Sequence, residues 1–260
     1  MTATGNGNPV LTPVHIQPGI PGFRRNQLID PRAGRVRADV EDNLHHFWVE
    51  IEHDDVRVLA LRTGAVRQPW TTCSAAGEFL SQRMTGARLD ELLKVDSPLA
   101  HCTHQHDLAL LAAAHATDSL PTLYSTFASD QHEPVQHAEL YRNGVAQLSW
   151  DITDSEIVSP GLGSGLSLRK LRLWEHDLSA GEREMARVLR RTVFTSGARL
   201  YDYSRTPTAD RVVESVGACY TFQPERSPGS RLIKRMRDFD NGEFPLAERI
   251  EEVKRQRRSG

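Results

Sequence analysis

The chain has 260 residues, enough for one large domain or two smaller ones that share an interface. Its 34 acidic and 32 basic side chains nearly balance, so the sequence lacks the basic surplus of a nucleic-acid-binding protein. No apolar run approaches the ~18 residues that a membrane span requires, and the N-terminus lacks the basic and apolar segments of a secretory signal. The three cysteines form no disulfide framework. These features predict a cytoplasmic protein with reduced thiols.

The first third of the chain is predicted to hold an arm and three strands. Residues 1–33 are rich in glycine, proline and asparagine, which predicts an extended N-terminal arm. Hydrophobic and polar residues then alternate over residues 36–41, 46–51 and 56–62. This period of two predicts three successive strands, joined by short turns.

Three helices are predicted to follow these strands. The first begins at Cys73 and ends just before Gly86, a position that favours glycine. A short helix covers residues 89–93, and a longer one runs over about residues 103–116. The predicted fold class is therefore α+β, with an antiparallel three-stranded sheet and helices forming a metal-binding core over residues 34–120.

Residues 121–260 are predicted to form a second α+β unit packed on the first. Asn143-Gly144 stands between two alternating segments, which is a strong hairpin signal. Ser179 and Glu182 have the spacing of a capping box and open an arginine-rich helix. We expect this unit to close a pocket over the core and to supply substrate contacts.

Two cysteines at predicted helix starts, Cys73 and Cys102, suggest a metal site. The free N–H groups and the positive dipole end of a helix favour the thiolate, which is the form that binds a metal. Histidines crowd both cysteines and the turn between the first two predicted strands: His45, His46, His101 and His104. Zinc takes thiolate and imidazole ligands, and a catalytic zinc site keeps one position open. We therefore predict a zinc site ligated by His45, Cys73, Cys102 and His101, with iron as the alternative metal.

Three further residues near these ligands are predicted to act in catalysis: His104, His46 and Asp107. His104 follows Cys102 in the same predicted helix and could serve as the general base at the open metal position. Asp107 stands three positions after His104, close enough on a helix to orient an imidazole. The third cysteine, Cys219, lies in a strand-like run and is predicted to be a core residue.

The order of elements around the cysteines resembles the iron–sulfur scaffold proteins of the IscU and SufU type. In that family a strand hairpin leads to a cysteine at a helix start, and a His-Cys pair opens a second long helix. Cys73 and His101-Cys102 hold those positions here, and His45 falls near the place of the family's aspartate ligand. No cysteine lies at residues 40–46, so one of the three thiolates that a scaffold needs is missing, and a mononuclear site fits better.

A second resemblance rests on three strings: Val40-x-Asp42-x-x-His45-His46-Phe47, Arg67-Gln68-Pro69-Trp70-Thr71-Thr72-Cys73 and Cys102-Thr103-His104. They resemble the domain-of-unknown-function family 2889, whose longer subfamily carries a C-terminal half similar to residues 121–230. This resemblance implies a setting in the bacterial catabolism of aromatic compounds.

Together these features predict a zinc-dependent lyase acting on a small aromatic or hydroxylated substrate. Cleavage of a carbon–carbon bond beside a hydroxyl group, releasing formaldehyde or another aldehyde, fits a Lewis-acid metal and a nearby base. Four alternatives stay open: a non-enzymatic iron–sulfur or metal carrier, a metal-free enzyme with Cys102 as nucleophile, a zinc hydrolase, and a binding module with structural zinc. The expected partner is a small-molecule substrate, with neither nucleic acid nor membrane, and self-association into a homo-oligomer stays open.

Overall fold

The computed structural model describes residues 11–130, 134–233 and 236–259. Its β-strands, in chain order, are β1 (Gly22–Arg32), β2 (Arg35–Asp42), β3 (His46–His53), β4 (Val58–Arg67), β5 (Thr122–Ser129), β6 (Gln136–Arg142), β7 (Val145–Thr153) and β8 (Glu156–Ile157). They form one eight-stranded sheet in the order β4-β3-β2-β1-β5-β6-β7-β8, and all neighbouring strands are antiparallel.

The α-helices of the described residues are α1 (Cys73–Met84), α2 (Leu92–Val95), α3 (Thr103–Ala114), α4 (Leu171–Trp174), α5 (Ala180–Ser196) and α6 (Ala247–Arg258). Short 3₁₀ turns connect many of these elements. None of the helices in the described ranges is both long and apolar enough to cross a membrane.

The local signals in the sequence are confirmed. The helix predicted from Cys73 ends at Met84, and Gly86 follows with φ +85°, a conformation that glycine adopts without strain. Asn143 and Gly144 both have positive φ, 50° and 84°, in the tight turn between β6 and β7. The capping box at the start of α5 is complete, since the side chain and backbone of Ser179 and Glu182 bond reciprocally.

The predicted three-stranded sheet is wrong. β2, β3 and β4 are the three predicted strands, but the sheet continues through β1 to four more strands. β1 lies inside residues 1–33, the predicted arm, and pairs with β2 on one edge and with β5 on the other. A single sheet therefore runs through both predicted units, while residues 1–10 of the arm lie outside the described residues.

β1 was not predicted from the sequence. Four polar residues in a row, Arg24 to Gln27, interrupt the alternation of polar and apolar residues that indicates a half-buried strand. All four are buried in the sheet. Three of them have polar partners: Arg24 contacts Asp240, Arg25 contacts Asp42, and Asn26 donates to a backbone carbonyl. Buried hydrogen bonds and ion pairs, which the linear pattern does not show, make this strand possible.

The core lies on both faces of the sheet. Helices α1, α3 and α5 pack on one face and enclose the main hydrophobic cluster. α6 and Leu11 cover part of the other face in a smaller cluster, with Leu28 of β1 and Leu123 of β5 beneath them. On the face covered by α3 and α5, polar side chains replace apolar ones at the end of the sheet where β1 begins and β2 ends. The candidate site lies there.

Candidate metal centre

Asp42, His45 and His104 offer ligand atoms that all lie within 4.8 Å of one another, and this is the only such group of three among the described residues. Asp42 ends β2, His45 lies in the turn to β3, and His104 lies in the first turn of α3. The rings of His45 and His104 stack with their centroids 3.8 Å apart. Two imidazoles and one carboxylate are a donor set that both zinc and ferrous iron accept.

The turn after β2 holds His45 in place through Asp42. One carboxylate oxygen of Asp42, Oδ1, accepts hydrogen bonds from the backbone N–H groups of Leu44 and His45, at 2.9 and 2.8 Å. The same oxygen lies 3.0 Å from Nδ1 of the His45 ring. Asp and Asn side chains commonly stabilise turns in this way. The ring of His45 is therefore oriented by the residue that would share a metal ion with it.

The ring of His104 is neutral and incompletely bonded. Burial, together with the nearby His45 and Arg25, lowers the pKa of His104 well below its usual value. Its Nε2 is shielded from solvent and has no hydrogen-bond partner among the residues that the structure describes. A neutral imidazole with a free nitrogen is the state that binds a metal, because the ligand atom must be deprotonated. The residues present thus fit a divalent cation.

Asp42 stays ionised although it is fully buried. Burial raises the pKa of this carboxyl group, but His45 and Arg25 together lower it by more than burial raises it. The net shift of the pKa is therefore downward. Arg25 stands directly opposite Asp42 in the pairing of β1 with β2. Its Nη1 donates to Oδ2 of Asp42 at 2.9 Å, and both side chains are fully buried. The carboxylate therefore keeps the charge that a metal ligand needs.

Asp107 does not orient a metal-binding imidazole in this structure. Nε of Arg191, on α5, lies 2.5 Å from Oδ2 of Asp107. Burial raises the pKa of Asp107, but Arg191 and the adjacent His106 lower it more, so the carboxylate is charged. Arg191 belongs to the arginine-rich helix of the unit that the sequence predicts to supply substrate contacts. Asp107 thus anchors an arginine beside the site.

Cys73 and Cys102 lie next to the third cysteine, outside the Asp42 group. Cys73 is 3.7 Å from the hydroxyl group of Thr221, and the backbone N–H of Tyr220 donates to the carbonyl oxygen of His101. These contacts bring Cys219 to the starts of α1 and α3. Each of the three thiols has a raised pKa, chiefly because of burial, and that of Cys73 rises to about 12. Without a bound cation these thiols are protonated, since burial outweighs the effect of a helix start.

His101 and His46, two other predicted site residues, also lie outside the Asp42 group. The fully buried His101 has ring contacts with Phe79 and His106, at centroid distances of 5.1 and 5.2 Å. Burial lowers the pKa of His101 to about 4. His46 begins β3, with Nδ1 3.8 Å from Glu41, and strand alternation places it on the face opposite Phe47. The structure thus brings together two of the predicted histidines, His45 and His104.

Sequence reasoning singled out neither Asp42 as a candidate ligand nor Arg25 as its partner. The spacing Asp-x-x-His in a turn between two strands was the signal that could have revealed Asp42. Arg25 gave no signal, because it lies among the polar residues that conceal β1. Cys219 is not in a strand; it precedes the single 3₁₀ turn Tyr220–Phe222.

Comparison with known proteins identifies no relative: no family model, no curated protein and no solved structure matches the chain. The resemblances to family 2889 and to the iron–sulfur scaffolds therefore stay predictions.

Proposed function

We propose that this protein is a metal-dependent lyase whose divalent cation, zinc or alternatively iron, is bound by Asp42, His45 and His104. One observation carries the proposal, namely the convergence of three ligand atoms within 4.8 Å in a shielded part of the molecule. Three protein ligands leave at least one coordination position for water or substrate, as in catalytic rather than structural zinc sites. The ligand set replaces the predicted thiolates with a carboxylate.

A cation at this position would polarise a hydroxyl or carbonyl oxygen of the substrate. The chain's own residues prepare the position. Asp42 orients the His45 ring, His45 and Arg25 together keep Asp42 ionised, and His104 is held neutral by its surroundings. His104, which the sequence predicts as the base, serves as a ligand in this proposal.

The reaction that we place first is the cleavage of a carbon–carbon bond beside a hydroxyl group, in a small aromatic or hydroxylated compound. The hydroxyl group loses its proton, its C–O bond becomes a carbonyl, and an aldehyde such as formaldehyde leaves. The electrons of the broken bond remain on the other fragment, which then takes up a proton. The proposal includes a cytoplasmic setting, with a small molecule as the partner.

Metal analysis of the full chain tests the ligand set. Protein stripped with chelator and reloaded with zinc should hold about one ion per chain. Asp42→Asn, His45→Ala and His104→Ala should each lower zinc affinity by a hundredfold or more, because a ligand is lost. Cys73→Ser and Cys102→Ser should retain the ion. His176→Ala, which removes an exposed histidine, is the matched control.

The opposite result would place the metal elsewhere. Loss of zinc in the two cysteine variants, with retention in His104→Ala, would restore the thiolate site and overturn the proposal.

Turnover is then measured by trapping released aldehyde from hydroxymethyl aromatic compounds. The variants that lose metal should also lose aldehyde release. Hydrolysis of ester substrates without aldehyde release would instead identify a zinc hydrolase.

A metal or iron–sulfur carrier is the second candidate. It is favoured by a third cysteine near the two that the sequence pattern offered: half-buried Cys219 acts electrostatically on buried Cys102, as does buried Cys73. It predicts iron and acid-labile sulfide in protein prepared without oxygen. An enzyme with Cys102 as nucleophile has less support, since burial raises the pKa of that thiol.

A further inference from the structure

Two arginines border the Asp42 group, Arg25 on β1 and Arg191 on α5. Arg25 pairs with Asp42 and Arg191 pairs with Asp107, so each arginine charge meets one carboxylate. A divalent cation bound by the Asp42 group would leave this region with an excess of positive charge. The region would then favour an anion.

Arg25 has one complete edge without a partner. Its Nη1 is taken by Asp42, but Nε and Nη2 are shielded from solvent and have no hydrogen-bond partner among the described residues. The N–H groups of Nε and Nη2 point outward along the same edge of the planar guanidinium group. A carboxylate can accept both of these hydrogen bonds, one with each oxygen. Donors of a charged group are costly to bury without acceptors.

Arg199 shows the same edge when it is filled. Its Nε and Nη2 donate to the two carboxylate oxygens of Asp130, at 2.8 and 3.0 Å. Both arginines are strongly buried, with 0% and 13% of the side chain exposed for Arg25 and Arg199. The difference is that the described residues supply a carboxylate to Arg199 and none to this edge of Arg25.

We propose that the Nε–Nη2 edge of Arg25 binds a carboxylate group of the substrate, which is therefore an organic acid. Arg25 contacts the metal ligand Asp42, so the carboxylate would lie beside the metal and fix the orientation of the reacting hydroxyl group. This assignment rests on the proposed function for the role of the metal, but the carboxylate site itself stands on the geometry of Arg25. A planar carboxylate matches the single free edge of the guanidinium group.

Binding of a matched pair of probes, benzoate and benzamide, to the zinc-loaded full chain tests the proposal by calorimetry. The probes have the same ring and differ in the charged group. Wild-type protein should bind benzoate about tenfold or more tightly than benzamide, the gain expected from charged hydrogen bonds. Arg25→Lys keeps the charge and a donor for Asp42 but removes the second edge, so the preference should fall to near unity. Arg199→Lys should retain it.

Three results would overturn the carboxylate site. They are equal binding of the two probes to wild type, an unchanged preference in Arg25→Lys, and loss of the preference in Arg199→Lys to the same degree. The first would mean that the edge holds only water. Zinc content is measured in the same samples. If wild type holds no zinc, the proposed function fails, and the two probes are compared on metal-free protein by the same criteria.

A spectroscopic measurement on wild type covers the case in which Arg25→Lys does not fold. The buried Nε–H of Arg25 should give a slowly exchanging nitrogen-15 resonance. Benzoate should shift that resonance and benzamide should not, while the resonance of Arg199 stays in place. A resonance of Arg25 that responds to neither probe would contradict the assignment.

Discussion

The two ends of α3 each carry a histidine, and the histidines differ in how completely they are bonded. At the C-terminal end, His115 has a carboxylate at each ring nitrogen, Asp118 at 2.7 Å and Glu184 at 3.0 Å. Tyr124 donates a hydrogen bond to the same Glu184. At the N-terminal end, His104 stacks on His45, and its Nε2 has no hydrogen-bond partner within the described part of the chain.

The difference in partners reverses the protonation of the two rings. Burial lowers the pKa of His115, but the hydrogen bond and charge of Glu184, aided by Asp118, raise it above the usual value. The pKa of His104 is lowered well below the usual value by burial and by positive neighbours. The C-terminal end is a completed ion pair that stabilises the fold, whereas the N-terminal end is neutral and free to bind a cation.

The largest effect that separates the two ends is stabilisation by zinc. At a free zinc concentration about a thousand times the Kd, binding should raise the free energy of unfolding by about 4 kcal/mol. His115→Gln should keep this increase, whereas His104→Gln, with zinc affinity lowered a hundredfold or more, should reduce it to about 1.4 kcal/mol or less. Urea unfolding with and without zinc measures both. Equal zinc effects in the two variants would remove the distinction between the ends.

Without metal, His115→Gln should lower the free energy of unfolding more than His104→Gln does. His115→Gln leaves half-buried Glu184 without its imidazolium partner and should lower the free energy of unfolding by about 2 kcal/mol. His104→Gln breaks no hydrogen bond to Nε2 and should cost less. Unfolding in the presence of chelator tests this order. A larger cost for His104→Gln would show that the N-terminal end also stabilises the fold.

The two histidines should give opposite dependences of stability on pH. The folded pKa of His115 is raised, so its contribution is complete below the usual pKa of 6.5 and is lost as pH rises through the folded pKa. The folded pKa of His104 is lowered, so the unfolded chain binds the proton first, and stability falls as pH drops below 6.5.

Differences between wild type and each variant isolate these contributions in metal-free protein. The stability lost in His115→Gln should shrink as pH rises above 6.5. His104→Gln should gain on wild type as pH falls below 6.5. Denaturant unfolding at a series of pH values measures both trends, and slopes of the same sign would contradict the assignment.

The smallest effect concerns the second partner of His115. Asp118 is nearly half exposed, with 45% of its side chain accessible, and water screens its charge. Asp118→Asn should therefore lower the free energy of unfolding by about 0.5 kcal/mol or less. A loss as large as that of His115→Gln would show that Asp118, rather than Glu184, is the main partner.

Local features of the fold were predictable because they depend on neighbouring residues. Asn143-Gly144 specifies its turn, and Ser179 with Glu182 specifies the start of α5. The number of strands depends instead on pairings between distant segments. β1 joins the two halves of the sheet because its second edge pairs with β5, about a hundred residues later, while its buried Arg25 is paired with Asp42 of β2. A local stretch of sequence does not reveal that these two side chains are buried against each other.

The candidate site was predictable in its histidines but not in its grouping. His45 and His104 were among the predicted ligand and catalytic residues, and both belong to the group that the structure forms. The predicted thiolates failed to join them because α1 and α3 direct Cys73 and Cys102 toward the turn that follows Cys219. The side chains that meet at a helix start depend on the segment that packs against it. Here that segment is the turn Tyr220–Phe222, which lies more than a hundred residues later in the chain.

The position of β1 also sets an order of assembly during synthesis. One edge of β1 pairs with β2, which follows it after a tight turn. The other edge pairs with β5, where Thr126 stands opposite Arg25, and β5 is synthesised about a hundred residues later. A nascent chain that ends near residue 120 already contains Asp42, His45 and His104, yet exposes one unpaired edge of β1. Such an edge is a template for association between chains. The ligand set is therefore synthesised before the strand that protects the sheet, and a stalled or truncated chain of this length should aggregate.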